Sequence, residues 1–133
     1  MTPALRAAGR RRYVALTTYR RSGAAVTTPV WVAPAGDALV VMTGGSTGKA
    51  KRLRRDPRVR LQECSMRGRV RPGAPVAQGE ARLVVDADEQ RPLLRALGAK
   101  YGWQLRLVEA VERVLGADAD RVVLRITDPG GDA

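Results

Sequence analysis

The twenty residues from Ala38 to Pro57 constrain this chain most. A hydrophobic run, Ala38 to Met42, leads into Thr43-Gly44-Gly45-Ser46-Thr47-Gly48-Lys49 and then into a short basic segment closed by Asp56-Pro57. The order reads as strand, glycine-rich turn, helix start. It aims backbone N–H groups and a helix N-terminus at one point in space. Thr47 is placed as the N-cap, its hydroxyl accepting from an early helical N–H. Pro57 disfavours helical backbone at Asp56 and stops the helix there. Lys49, Lys51, Arg52, Arg54 and Arg55 follow within two turns. Hydroxyls, free N–H groups and cations together suit a phosphate. A solvated basic helix after a flexible turn fits the stretch as well.

A nucleoside-triphosphate loop is excluded by count. That loop needs four residues between its glycines and a Ser or Thr after the lysine. Here only Gly45, Ser46 and Thr47 separate Gly44 from Gly48, and Ala50 follows Lys49. What is left is an anion cradle with no hydroxyl for magnesium.

Charge sharpens the expectation. Residues 1–80 carry 16 Lys and Arg against 4 Asp and Glu, and residues 81–133 carry 8 against 9. The basic half therefore holds the cradle, and a polyanionic partner follows, either nucleic acid or a phosphorylated, carboxylated cofactor. Aromatics for base stacking amount to 4% and phenylalanine is absent, so no nucleic acid is expected. The chain has no histidine and one cysteine, Cys64, which is read as a small buried apolar residue. Ser-His and Cys-His catalysis drop out, and no metal site is expected. Apolar runs are strand length, too short for a membrane span, and no signal peptide is evident. A cytoplasmic protein of one domain over residues 1–133 is expected.

In chain order, Thr2-Pro3 opens a short helix to about Ala8, which leads into a basic arm ending near residue 11. Strands are expected over Tyr13–Tyr19, Ala25–Ala33 and Ala38–Thr43, with turns at Arg20–Gly23 and Pro34–Asp37. After the cradle helix, Arg58–Gln62 alternates as a half-buried strand. A loop follows through Met66 to Pro75. Val76–Val85 reads as a strand with Gly79 as a bulge. Asp86-Ala87-Asp88-Glu89 starts a helix with the stripe Leu93, Leu94, Leu97. A second helix runs from Trp103, a packing residue, to Leu115, with Leu107, Val108, Val111, Val114 and Leu115 apolar and Gly116 as cap. Arg121–Thr127 is the last strand, and residues 128–133 are read as a frayed tail. The fold class is mainly β with added α, an antiparallel sheet curled into a small barrel.

Several stretches in this order carry a resemblance. They are Tyr13-Val14-Ala15-Leu16-Thr17-Thr18, the turn with Gly23, Thr28-Pro29-Val30-Trp31, Thr43 to Lys49, and Leu53-Arg54-Arg55-Asp56-Pro57-Arg58-Val59. Over about Tyr13 to Val85, and more loosely at Lys100-Tyr101-Gly102 and the last strand, the chain resembles the split-β-barrel flavin and deazaflavin reductases. These are relatives of pyridoxamine 5′-phosphate oxidase, and the coenzyme F420-dependent branch is the closer match. The resemblance implies a homodimer with cofactor sites at the interface. It places the deazaflavin ring against Thr28, Pro29, Val30 and Trp31. It places the phosphate at Thr43, Ser46, Thr47, Gly48 and Lys49, with Lys51, Arg52 or Arg55 nearby. The other subunit would contribute Val76, Ala77 and Gln78, where many relatives carry an aromatic and this chain does not.

The function so implied is hydride transfer from reduced coenzyme F420 to a small unsaturated acceptor met by loops such as Met66–Pro75. Coenzyme F420, with its phosphodiester and glutamate tail, matches the basic half. FMN in an oxidase or reductase of the same fold, and a non-catalytic cofactor carrier, are the alternatives. Trp31 fits the ring pocket and the barrel core equally. Pro29 within a strand suggests an edge or a bulge beside a ligand. Tyr19 and Tyr101 are candidate proton donors, with packing as the commoner role of such residues.

Overall fold

A computed structural model describes residues 1–44, 47–115 and 121–130. In chain order the elements are α1 (Pro3–Gly9), β1 (Val14–Tyr19), β2 (Ala25–Val30), β3 (Ala33–Ala35), β4 (Ala38–Gly44), α2 (Gly48–Arg55), β5 (Arg58–Glu63), β6 (Ala77–Val84), α3 (Ala87–Tyr101), α4 (Trp103–Leu115) and β7 (Arg121–Thr127). The strands form one sheet in the order β2-β1-β5-β6-β7-β4-β3, antiparallel at every pairing.

The period of two sorts the side chains onto two faces. Leu16 of β1, Leu39 and Val41 of β4, Val59 and Leu61 of β5, Ala81 of β6, and Leu124 and Ile126 of β7 meet in one buried cluster. β1 and β4 are not neighbours in the sheet, yet Leu16 and Leu39 share this core, so the sheet curls around it. Leu5 of α1 and Leu53 of α2 close it. The alternate residues Val40, Val123 and Val84 point the other way. Leu93, Leu97 and Tyr101 of α3 and Leu105 of α4 cover them.

Several expected boundaries move. β2 stops at Val30, and Pro34-Ala35 belong to β3, with the turn tightened to Gly36-Asp37. Gly36 takes φ 64°, the left-handed backbone glycine adopts without strain. The expected bulge at Gly79 is absent, because Val59 pairs with Gly79 in an uninterrupted register. The reason for glycine is a close approach: an added Cβ would stand 2.8 Å from the Thr127 carbonyl oxygen and 3.0 Å from Ile126 Cγ2. Pro29 causes no bulge either. β2 is an edge strand, paired one-to-one with β1 from Val14↔Val30 to Tyr19↔Ala25, and Pro29 opposes Ala15.

Trp103 is 70% exposed and Leu107 58%, so neither packs as expected, and Leu105 is the residue α4 turns inward. The side chains of Val108, Val111, Val114 and Leu115, like Gly116, lie outside the described residues. Cys64 is only half-buried. Asp128 is not frayed: its carboxylate accepts from the Thr2 N–H at 2.7 Å and pairs with the N-terminal ammonium at 3.3 Å. It thereby ties the end of β7 to the start of α1. Residues 131–133 lie outside the described residues.

Candidate cofactor cleft

β4 delivers the chain to α2 as the sequence predicts. Thr47 has extended backbone, and its hydroxyl accepts from the Ala50 N–H at 3.2 Å. Ala50 and Leu53 are buried on the inner side of the helix, which leaves Lys51, Arg54 and Arg55 exposed. The hydroxyls of Thr43 and Thr47 lie 3.4 Å apart across the turn. Gly45 and Ser46, the tip of the cradle, are outside the described residues.

Beside this turn opens a cleft of about 320 Å³, lined by Pro29, Val30, Trp31, Met42, Lys49, Leu97 and Leu105. That volume is in the range of small-molecule pockets. Lys49 is its one titratable lining residue. Burial, and then the nearby charge of Arg52, lower the Lys49 pKa from its ordinary value. Among the described residues no carboxylate pairs with Lys49. A half-buried cation without a counter-charge at the end of an apolar cleft suits a ligand that brings an anion.

The wall of the cleft comes from far along the chain. Trp31 stacks on Tyr101, with centroids 4.5 Å apart and planes 8° from parallel. The Tyr101 hydroxyl accepts from the Val32 N–H at 3.0 Å and lies within donating distance of the Arg12 carbonyl at 2.7 Å and the Val32 carbonyl at 2.9 Å. Next to it, Lys100 Nζ donates to the carbonyls of Gly9 at 2.8 Å, Val32 at 2.6 Å and Arg11. These bonds satisfy the Val32 backbone in place of a strand partner, which is why the ladder breaks between Val30 and Ala33. The Tyr101 hydroxyl is thus engaged by backbone and does not line the cleft. Burial raises its pKa. As a proton donor it is displaced by a structural role. Tyr19 lies at a separate cavity with Arg58, whose guanidinium stands 5.0 Å from its ring centroid.

The structure therefore brings Pro29, Val30, Trp31 and Lys49 into one cleft, with Thr43, Thr47 and Gly48 at the adjoining turn. Trp31 is half-buried: it lines the cleft and also packs against the core cluster of Val40, Leu97 and Tyr101. Thr28 does not line the cleft. It shares a strand face with Val30, and its Oγ1 is buried without a hydrogen-bond partner. Arg52 Nε donates to Thr18 Oγ1 at 2.7 Å and Arg55 Nη2 to the Tyr19 carbonyl at 2.6 Å, so both lie against β1. Lys51 is exposed. Val76 is at the surface, Ala77 is core, and Gln78 lines the Tyr19 cavity, so within one chain none of the three reaches the cleft. Sequence reasoning missed Met42, Leu97 and Leu105 as lining residues. Leu97 was visible in the α3 stripe, but only as core.

The curled antiparallel sheet with short flanking helices defines the fold class, a split β-barrel. The pyridoxamine 5′-phosphate oxidase family pattern matches residues 1–127, and the chain belongs to that family. No curated protein sequence matches it. Among solved structures, a conserved hypothetical protein from Mycobacterium tuberculosis superposes with TM-score 0.67 at 22% identity, over 96% of this chain and 81% of that one. An F420 reductase superposes at 0.61 with 17% identity, over 96% and 94%. A FAD-binding protein from Mesorhizobium loti superposes at 0.57 with 17% identity, over 90% and 81%. These likenesses establish the fold.

Proposed function

We propose that this protein is an oxidoreductase that binds coenzyme F420 and passes a hydride to a small unsaturated organic acceptor. The observation that carries the reading is Lys49, a cation with no carboxylate partner among the described residues, at the end of an apolar cleft and one residue from the head of α2. The residues present fit the cofactor. Trp31, Val30 and Pro29 offer a flat, largely apolar wall for a tricyclic ring, with Met42, Leu97 and Leu105 completing the lining. Lys49, Gly48 and the Thr43–Thr47 hydroxyls would hold its phosphate, as anions are held at helix N-termini. When bound, the deazaflavin supplies the hydride chemistry. The protein's part is to bind, to orient the ring against Trp31 and to exclude water with the apolar lining. Among the described lining residues Lys49 alone is titratable, and in this reading the acceptor's proton comes from solvent.

The loop holding Gly68 packs on Pro29, with an added Cβ on Gly68 standing 3.5 Å from Pro29 Cδ. In this reading an acceptor would approach from the side of that loop, which the sequence reading spans as Met66–Pro75. In a homodimer, Val76, Ala77 and Gln78 of the second copy would complete the site.

The second reading is FMN on the same cleft, which offers the same walls to an isoalloxazine ring. The cations beyond Lys49 favour the more anionic coenzyme F420. Titration of the purified protein with each compound, followed by ligand fluorescence, decides between them. Tighter binding of coenzyme F420, weakening as salt rises, is expected. Co-purified FMN that coenzyme F420 fails to displace would establish the flavin reading instead. Light scattering at twice 14.4 kDa is the expected assembly.

A further inference from the structure

Arg52 lies within electrostatic reach of two other cations: its charge bears on Lys49, and the charge of Arg20 bears on it. Among the described residues none of the three forms an ion pair. A long arginine side chain that feels like charges, with water in reach, would gain entropy and relief by swinging outward. It does not. Nε donates to Thr18 Oγ1 at 2.7 Å, and Nη1 lies so close to Gly48 that an added Cβ there would stand 2.8 Å away. Gly48 has helical backbone, so no left-handed φ calls for glycine at this place. What glycine provides is room for the guanidinium across the first turn of α2.

Thr18 is the other half of the seat. It follows Val14 and Leu16 on the inner face of β1 and is fully buried, the one such non-aromatic polar side chain among the described residues. A lone hydroxyl at a position where β1 otherwise places aliphatics needs a partner, and Arg52 Nε is that partner. We infer that Thr18 is a positioning residue: with the bare Cα of Gly48 it holds the Arg52 guanidinium at the head of α2 as a second, fixed cation for the anionic arm of the ligand. With Nε taken by Thr18, the terminal nitrogens lie beside Gly48 at the head of α2 and form no further hydrogen bond among the described residues, which leaves them to grip a phosphate oxygen or a carboxylate. An anion beside Lys49 and Arg52 would offset the repulsion between them. The ligand class is a phosphodiester or phosphate arm that carries further negative charge. The inference rests on the proposed cofactor reading of the cleft and adds to it the reason that one arginine of the basic helix differs from the others.

The test is a binding cycle with coenzyme F420 as probe, on wild type, Thr18→Val, Thr18→Ser, Arg52→Leu and the double variant Thr18→Val with Arg52→Leu. Thr18→Val keeps the shape and removes the acceptor. It should weaken binding about five-fold to ten-fold, the scale of one hydrogen bond to a charged group. Thr18→Ser should stay within about two-fold of wild type, since its hydroxyl remains. In the Arg52→Leu background Thr18→Val should have no further effect on binding. Gly48→Ala carries the test if Thr18→Val fails to fold, because alanine favours the helix while its methyl displaces Nη1. It should bind more weakly despite a higher unfolding midpoint. Thr18→Val binding like wild type, or weakening Arg52→Leu by the same factor, overturns the inference. If Lys49→Ala weakens binding while Thr18→Val does not, only this inference falls. If wild type binds no coenzyme F420, the cofactor reading falls with it.

Discussion

Trp31 lies flat on Tyr101, two residues 70 positions apart, and that pair decides where the cleft has its wall. The stack is worth about 0.5–1.5 kcal/mol beyond its buried area. The Tyr101 hydroxyl fixes the backbone of Val32 next door. Ring and hydroxyl therefore act on adjacent residues, one on a side chain and one on the main chain. The connection from β2 to β3 is held as a rigid corner.

Tyr101→Phe separates these two contributions. It keeps the stack and leaves the Val32 N–H without its acceptor, so stability should fall by about 1–3 kcal/mol. Trp31 emission, read in a Trp103→Phe background, should stay near wild type. Tyr101→Leu should cost more and shift that emission as well. Urea unfolding and fluorescence of the three proteins are the measurements. Equal emission shifts in both variants would contradict a stack that positions Trp31.

Lys49→Ala removes the cleft's cation. Stability should stay within about 0.5 kcal/mol, because among the described residues the lysine has no ion-pair partner to lose and its burial already disfavours the charge. Affinity for coenzyme F420 should fall about ten-fold to a hundred-fold. Since the Lys49 pKa is lowered in the free protein, the affinity should decline with rising pH sooner than an ordinary lysine would allow. Lys49→Arg should flatten that decline. Arg58→Ala, whose guanidinium pairs with Asp56 away from the cleft, is the control.

Gly79→Ala tests the close approach of β6 to β7. The methyl would meet the Thr127 carbonyl oxygen, a backbone atom that cannot swing aside. Destabilisation of about 1–3 kcal/mol is expected, as for other overpacked sites. A neutral result in denaturant titration would restore a bulge or a looser register.

Alkaline stability carries the mark of Lys100. Burial first, and then the charge of Arg12, push its pKa down to about 8 from 10.5. Between those values the unfolded chain binds more protons at this residue than the folded one, so its contribution to stability rises with pH from about 8 to 10.5. Tyr101, raised by burial, and Cys64, also raised by burial, act with the opposite sign at the upper end. The Lys100 share is therefore the difference between wild type and Lys100→Met. That difference should shift in favour of wild type as pH rises from 8 to 10. A difference independent of pH would mean that the three carbonyls hold Lys100 charged throughout.

Much of the site was legible because local chemistry fixes it. Thr47 caps α2 because a hydroxyl ahead of a helix has few other uses for its lone pairs. Ala50 and Leu53 face inward because they are the apolar pair on a basic helix. Pro29 sits on an edge strand because it cannot donate to a ladder. From these alone, strand, turn, basic helix and an anion-suited corner follow, and the family pattern with them. The Gly79 bulge was misread for the same local reason. A glycine in a strand signals either a bulge or a close neighbour, and the sequence does not say which neighbour arrives.

What only the tertiary structure decided is which distant residues meet. β7 inserts between β6 and β4, so the last strand lies against Gly79 and supplies the carbonyl oxygen that excludes a side chain there. Thr18 and Arg52 meet because α2 packs over the end of β1, 34 residues earlier in the chain. Trp31 comes to line the cleft while packing on Tyr101 because the last turn of α3 takes the Val32 backbone with Tyr101 and Lys100. Propensity and period act over a few residues, so they settle elements and faces. Contacts across such separations depend on strand order and loop closure, which the sequence specifies only through the whole fold.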